Sequence, residues 1–315
     1  MTFGSESTTD DVLDGIDLSG TWTLVTGAST GLGQETARSV AAHGGNVIMA
    51  LRDVAKGARA AETVRADASG YAQLELCEVD LTSFASIRKA TDRVASEHDH
   101  LDVIIANAGV MATPEGKTAD GFELQFGTNH LGHFLLVNRL RPLLATPGRI
   151  VNLSSGGHRL SDVVLDDVNF ETMPYDAWAA YGRSKTANVL FAVELDRRGR
   201  DNRQRACAVH PGMIRTELGR YMTKETAGRL ASSISDAPQQ PAWKTIPQGA
   251  ATSVWSAFTA DADAIGGRYC EDCHVADVAV DQVARSGVNA YALDATQARA
   301  LWALSEELVG ESFPS

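Results

Sequence analysis

Residues 22–33 read Trp22-Thr23-Leu24-Val25-Thr26-Gly27-Ala28-Ser29-Thr30-Gly31-Leu32-Gly33. A short apolar run, a glycine-rich turn and then a helical pattern make a strand–turn–helix signature. Glycines there permit a tight turn and close backbone approach, so that amides at the helix N-terminus can face a bound pyrophosphate. The spacing is Gly-x3-Gly-x-Gly, not Gly-x-Gly-x2-Gly, and a glycine-rich turn alone is a weak signal. Its position between a strand and a helix gives it weight.

Outward from this loop the alternation continues. Apolar runs at 46–51, 73–79, 101–107, 149–153, 205–210 and, more weakly, 267–270 follow the first strand at 22–26. Most are near-continuous, as in Val103-Ile104-Ile105-Ala106-Asn107, which suits strands covered on both faces. Helical patterns lie between them at 31–43, 54–68, 84–97, 120–144 and 177–198, and an amphipathic tail at 294–309 carries Leu301, Leu304 and Leu308 on one side. The alternation predicts an α/β fold: one Rossmann-type domain with a doubly wound sheet of about seven parallel strands and helices on both faces. No linker or repeat interrupts it before residue 210, so the domain is expected over 19–315, after an acidic N-terminal extension at 1–18.

Residues 215–248 depart from the pattern. They are weakly amphipathic over 221–234 and then contain Pro238, Pro241 and Pro247, which break regular structure. An insertion after a late strand lies on the side where doubly wound sheets bind ligands. We read 217–245 as a substrate lid.

Composition excludes several classes of function. The chain of 315 residues has 28 basic and 40 acidic side chains, a net charge of −12, which disfavours nucleic acid or an anionic membrane as main partner. No run approaches the ~18 apolar residues of a membrane span. The polar, acidic N-terminus lacks the basic and apolar regions of a signal peptide, and four cysteines are too few for a disulfide scaffold. The expectation is a soluble cytoplasmic protein. Cys270-Glu271-Asp272-Cys273-His274 spells the CxxCH of c-type haem attachment. That attachment needs export in most settings, so we read the stretch as a last strand and its turn, and expect no metal site.

With these motifs in place, the chain resembles the short-chain dehydrogenase/reductase family, and its retinol-dehydrogenase-like members in particular. Thr26 to Gly33 is similar to the family's TGxxxGxG cofactor loop, and Asp80-Leu81 to its adenine-contacting pair. Asn107-Ala108-Gly109 resembles the NAG motif, with Ala106 in place of the usual preceding Asn. Asn129 resembles the catalytic Asn, and Ser155, the second of Ser154-Ser155, the catalytic serine. Tyr181-Gly182-Arg183-Ser184-Lys185 is a complete YxxxK, and Pro211-Gly212 with Thr216 resembles the segment beside the nicotinamide. Residues 244–252 extend the likeness toward the retinol-dehydrogenase-like branch.

The resemblance implies interconversion of an alcohol and a carbonyl by hydride transfer with NAD(P)(H). Tyr181 and Lys185 stand four apart on a predicted helix and so share a face. A free tyrosine has a pKa of ~10 and needs help as a proton donor or acceptor. A nearby ammonium, or the positive ring of an oxidised nicotinamide, favours the phenolate and lowers that value. Tyr181 would act as general acid or base, Ser155 would hydrogen-bond the substrate oxygen, and Asn129 would hold a water linking Lys185 to solvent. Cofactor contacts are expected from Gly27, Ser29, Thr30, Gly31, Leu32, Gly33, Arg52, Asp80, Leu81, Asn107, Ala108, Gly109, Tyr181, Lys185, Pro211, Gly212 and Thr216.

Cofactor choice turns on the end of the second strand, where an acidic residue would hold the ribose 2′-OH. Leu51 occupies that position and Arg52 follows, which favours a 2′-phosphate and hence NADP(H), with NAD(H) usable. Asp53 either pairs with Arg52 or caps the next helix. The substrate is expected to be a small-molecule alcohol or carbonyl, apolar or bulky. The resemblance also implies a homodimer or homotetramer formed through the helices at 120–144 and 177–198. The alternatives are a non-catalytic dinucleotide-binding regulator, which would usually lack the tyrosine or lysine, and an epimerase or dehydratase, whose TGxxGxxG spacing is absent. His130 and His133 flank Asn129 without metal-ligand spacing, so packing or capping is their expected role. His158 either lines the substrate pocket or is a loop residue.

Overall fold

The computed structural model describes residues 3–70, 72–235, 242–279 and 286–314. Strands, in chain order, are β1 (Trp22–Thr26), β2 (Asn46–Leu51), β3 (Leu74–Glu78), β4 (Leu101–Ala106), β5 (Leu144–Leu153), β6 (Gln204–His210), β7 (Met213–Ile214), β8 (Trp243–Lys244), β9 (Tyr269–Glu271) and β10 (His274–Val275). Helices are α1 (Thr9–Leu13), α2 (Gly31–Ala42), α3 (Val54–Asp67), α4 (Phe84–Glu97), α5 (Leu124–Phe126), α6 (Gly132–Leu140), α7 (Ala177–Gly199), α8 (Lys224–Ser235), α9 (Ile246–Val254), α10 (Ala262–Ile265) and α11 (Ala295–Val309). The main sheet has the order β10-β9-β6-β5-β4-β1-β2-β3. All neighbours pair in parallel except β10, which folds back antiparallel on β9. The doubly wound sheet read from the apolar runs is therefore present, with a two-residue antiparallel edge added.

Successive strand residues point to opposite faces, and each face has its own core. Leu24, Ile48, Ile104 and Ile150 join Phe134, Phe191 and Trp302 under α4, α6, α7 and α11. Val25, Met49, Ile105 and Val151 join Val40, Val64 and Val254 under α2, α3 and α9. Local chemistry fixes where the helices begin. Asp53, Ser83, Asp176 and Asp294 each accept a backbone amide from the first turn they precede. Asp53 thus caps α3, through the amide of Lys56 at 2.9 Å.

The acidic leader is built into the fold. Thr8 caps α1 in a reciprocal box with Asp11, and Val12 and Leu13 are buried against the face formed by α2 and α9. Two other segments differ from the sequence reading. The helix expected at 120–144 starts at Leu124 after a cap by Glu123, because Asp120 instead accepts the amide of Phe84 at the head of α4. It contains a π turn at Gly127–Leu131, and β5 begins at Leu144, earlier than the apolar run indicated. Just past the expected lid, Pro247 stands in the first turn of α9 rather than breaking structure, since a proline there lacks only an amide that has no helical partner anyway. Pro238 and Pro241 lie outside the described residues. The CxxCH stretch forms β9, a turn with Asp272 and Cys273 at φ 49° and 56°, and β10; both thiols are buried and His274 is exposed.

The C-terminal helix bears on assembly. Trp302 of α11 packs its ring 5.0 Å from that of Phe134 and 5.8 Å from that of Phe191, with the Arg198 guanidinium 4.1 Å from its centroid. The helix pair expected to carry a homodimer contact is thus overlaid on this side by α11. Among the described residues no helix is long and apolar enough to cross a membrane.

Burial of Leu13 generates a prediction. Leu13→Ala should lower the unfolding free energy by ~3 kcal/mol while leaving one cooperative transition, because it opens a cavity at a fully buried leucine. Urea unfolding checks this, and a midpoint equal to that of the unaltered protein would show that the leader is not part of the cooperative unit.

Candidate active site

The ends of β1, β2, β4 and β5 and the start of α2 enclose a cleft of about 400 Å³. It sits where β1 has neighbours on both sides and the chain direction across the sheet reverses, the usual ligand crevice of such sheets. Gly27, Ser29, Thr30, Gly31, Leu32, Gly33, Arg52, Asp80, Leu81, Asn107, Ala108, Gly109 and Thr216 all line it. Gly27 turns the chain at φ 68°, and a Cβ on Gly33 would lie 2.5 Å from the Gly27 carbonyl oxygen. Thr30, the residue before α2, makes no side-chain cap bond, which leaves the first-turn amides of this helix for an anion. This donor set fits a dinucleotide pyrophosphate. Pro211 and Gly212 lie outside the lining, at the turn after β6, where the Lys244 side chain covers Gly212.

Residues that the motifs did not reveal complete the cleft. Lys56 on α3 and Glu217 face each other with Nζ and Oε2 2.6 Å apart, and Arg220 and Tyr221 stand beside Arg52. Lys56 follows Arg52 by one helical turn, the only sequence signal for it. Glu217, Arg220 and Tyr221 come from a distant 3-10 turn that nothing in their spacing connects to β2. Leu51 is buried with its side chain over Gly57, so it offers no polar group to a ribose.

Beyond the cleft, the end of β5 is bolted to α7. The Ser154 hydroxyl donates to the Lys185 carbonyl oxygen at 2.8 Å, and Lys185 Nζ and Asn188 Nδ2 donate to that of Leu153 at 3.0 and 2.9 Å. Ser154 is thereby consumed structurally. Ser155 instead meets Tyr181 over Gly157, where one point lies 2.5 Å from the Tyr181 ring and 3.4 Å from Ser155 Oγ, and it accepts the amide of Gly157 at 3.0 Å. The Tyr181 ring lies flat on Gly157, where an added Cβ would come within 2.5 Å of it. Lys185 Nζ is 5.8 Å from the centre of that ring. Asn129 clamps the chain after the NAG motif: its Oδ1 accepts the Val110 amide at 2.9 Å, and its Nδ2 donates to the Val110 oxygen at 3.0 Å and to Ser184 Oγ at 2.9 Å. The four residues expected to do chemistry therefore converge, and the side chain of Asn129 is fully engaged in pinning backbone.

Electrostatics differ from the simple lysine–tyrosine picture. Burial pushes Tyr181 up to about 12, against a smaller lowering by the Ser155 hydroxyl. Burial also pulls Lys185 down to about 7, so its ammonium is only partly populated at neutral pH and favours the phenolate less. Around the phenol stand Ala112 and Trp178, with Met111, Met222 and Leu230 packed on them. Leu230 comes from α8, which is tied to the start of α7 by Trp178 Nε1 donating to the Thr226 oxygen at 3.2 Å and by an Arg229–Asp176 ion pair at 2.6 Å.

The neighbouring histidines are structural. His130 is buried among Phe126, Phe134 and Phe191 and bonds Ser305 of α11 at 2.8 Å. His158 is buried too, with Nδ1 2.7 Å from the Ser155 oxygen and Nε2 accepting the Asn289 amide at 3.2 Å.

This architecture has known counterparts. Residues 21–227 match the family model described as short chain dehydrogenase. The chain belongs to the short-chain dehydrogenase family. It is an alcohol–carbonyl oxidoreductase of that family. Short-chain dehydrogenase/reductase prx1 of Penicillium rubens is 40% identical over 293 residues, covering 91% of this chain and 84% of that one. Retinol dehydrogenase 13 of Homo sapiens is 39% identical over 298 residues, covering 93% and 85%. Among solved structures, a putative uncharacterized protein from Mycobacterium paratuberculosis has a TM-score of 0.74 at 35% identity, covering 98% of this short-chain dehydrogenase and all of its own chain. A short chain dehydrogenase from Burkholderia cenocepacia in complex with NADP shares the fold at 21% identity, with a TM-score of 0.63 over 82% of this chain and 98% of that one.

Three buried imidazoles and a half-buried one make acid sensitivity an expected property of the fold. Burial depresses His130 and His210 to about 3 and His133 and His158 to about 4 in the folded state. Between pH ~6.5 and those values the unfolded chain binds more protons, so stability falls as pH drops through this window. We predict that His130→Leu removes one proton from that uptake, flattening the dependence near pH 5 by about 1.4 kcal/mol per pH unit. Denaturant unfolding at several pH values measures it; an unchanged slope would mean that His130 titrates alike in both states.

Proposed function

We propose that the enzyme carries out reversible hydride transfer between NADP(H) and an apolar alcohol–carbonyl pair, with Tyr181 handling the proton. The observation that carries this reading is the meeting of Ser155 and Tyr181 over Gly157, at the end of β5 and the start of α7, beside a glycine-lined cleft whose helix start is left uncapped. A nicotinamide held there would supply or accept the hydride. Ser155 Oγ would orient the substrate oxygen, and the Tyr181 hydroxyl, neutral at pH 7, would donate to it as a carbonyl is reduced and take the proton back in oxidation. Lys185, fixed by the Leu153 carbonyl, and Asn129, holding Val110, keep the strand ends and α7 in register. The wall of Trp178, Met111, Met222 and Leu230 excludes water and favours an apolar substrate, in keeping with a relative named as a retinol dehydrogenase.

Preference for NADP(H) rests on two cations and a missing acid. Arg52 and Lys56 line the cleft at the end of β2, and Leu51 stands where an acidic side chain would hold a free ribose. A guanidinium and an ammonium there would grip a 2′-phosphate, and the NADP complex of the Burkholderia relative is in keeping with it. NAD(H) would bind without that contact. Residues 217–245 would act as a lid: the contacts of Glu217, Thr226 and Arg229 to Lys56, Trp178 and Asp176, beside a Tyr181 that is only 3% exposed, support that reading. Assembly as a homo-oligomer would use surface that α11 does not cover. Retention of both Tyr181 and Lys185 weighs against a non-catalytic regulator.

Tyr181→Phe should keep fold and cofactor binding while kcat falls ~10²–10⁴-fold, because one hydroxyl is removed and the ring stays. Near-normal kcat in that variant, followed at 340 nm with a carbonyl panel, would sink the proton-transfer role. Arg52→Ala should erase ~1.5–3 kcal/mol of the preference for NADP(H) in kcat/KM. A wild type that uses NAD(H) better, or a preference indifferent to the substitution, would overturn the assignment. Amide exchange in residues 224–230 should slow once NADPH and a carbonyl analogue are both present; exchange already slow and unaltered by them would show a static segment.

A further inference from the structure

The hydroxyl oxygen of Thr26, at the end of β1, receives the amides of Asn107 and Ala108, both at 2.9 Å. It also lies 2.9 Å from Nε2 of His133. Across the same imidazole, Nδ1 lies 2.9 Å from the main-chain oxygen of Asn129 in the π turn. A carbonyl oxygen only accepts, so Nδ1 carries the proton. Thr26 already accepts twice, so its own proton points at Nε2. The partners on each side thus dictate one tautomer, and the ring is 1% exposed. Burial also holds it neutral, with a pKa pulled down to about 4.

We propose that His133 is a positioning residue for hydride transfer: a neutral, Nδ1-protonated strut that sets the π turn carrying Asn129 against the strand ends lining the cleft. This rests on the oxidoreductase reading of that cleft. The strut joins two groups that must stay in register. On one side are Thr26, Asn107 and Ala108, which line the cleft. On the other is Asn129, whose amide pins Val110 and Ser184, one residue from Lys185. A point above Gly109 lies 3.1 Å from Asn129 Oδ1 and 3.5 Å from Lys185 Nζ, so a small shift of the π turn moves the groups around the lysine. A widened helical turn has poorer intrinsic hydrogen bonding, and a side chain that bonds its carbonyl from one turn on selects one geometry for it. No charge and no proton transfer is required of the ring itself.

The test is a double-mutant cycle read in kcat, with NADPH and a carbonyl that the wild type turns over. His133→Phe keeps a planar ring, slightly larger, and loses both nitrogens, and Thr26→Val keeps shape and loses the hydroxyl. Each should lower kcat by ~10–100-fold, the range expected for a misplaced reacting geometry, while the Kd for NADPH stays within about threefold of wild type. The double variant should lose no more than the worse single one, since both break the same hydrogen bond. Thr26→Ser should retain most of kcat. Should His133→Phe fail to fold, the comparison of Thr26→Val with Thr26→Ser stands alone, because only the hydroxyl separates them in function. Nitrogen-15 spectra of the wild-type imidazole should show a neutral ring protonated at Nδ1 from pH 6 to 8. A ring protonated at Nε2, strictly additive losses, or a loss confined to the Kd for NADPH would each overturn the proposal. A wild type inactive on every carbonyl with both cofactors would sink the oxidoreductase reading itself; an active wild type with unaffected variants would sink only the role of His133.

Discussion

The hydroxyl of Thr26 is the joint on which the site depends. It lies at the end of β1, the strand whose neighbours β2 and β4 lead to the two halves of the sheet. Two amides of the loop after β4 end on its oxygen, its main-chain oxygen takes the Asn107 side chain at 2.7 Å, and its proton goes to His133. Each partner is buried or half-buried, so losing the hydroxyl would strand donors away from water, at ~1–3 kcal/mol for each unsatisfied group. The cleft stays open because these contacts hold the two strand ends apart at one fixed spacing. Gly27, next in sequence, fits against Ala108 only because that spacing leaves room for no larger residue.

A second constraint runs through α7. The helix is buried along most of its length, between β5 and β6 on one side and α11 on the other, so the positions of Tyr181 and Lys185 are set by core packing. That rigidity has an energetic cost. An ammonium is taken into a site where burial pulls it to about 7, and a phenol is pushed to about 12. Both shifts come from desolvation, which also strengthens any hydrogen bond made to a substrate oxygen there. The apolar groups around the phenol come partly from α8, through Leu230.

Much of this was legible in the chain. Near-continuous apolar runs gave the parallel strands, because a strand covered on both faces needs no polar side. The YxxxK spacing put Tyr181 and Lys185 on one face, because helical geometry is local. The helix at 120–144 was overextended, since its apolar content continues past the point where Pro147 and the pairing of β5 with β4 claim residues 144–153 for a strand. The α9 helix went unseen because Pro247 reads as a breaker unless one knows that it stands in a first turn.

Sequence alone carried the family resemblance and the motifs that nominate the cofactor loop and Asn129, Ser155, Tyr181 and Lys185, all of which depend on residue type and short-range spacing. Only the tertiary structure showed that the Ser154 hydroxyl is taken by the Lys185 carbonyl, brought Lys56 and Glu217 to the same cleft, seated Leu13 in the core, and gave His133 its two partners. The reason is physical. Spacing along a helix or strand says which side chains share a face, whereas the partner across an interface is set by how whole elements pack, and 107 residues separate Thr26 from His133.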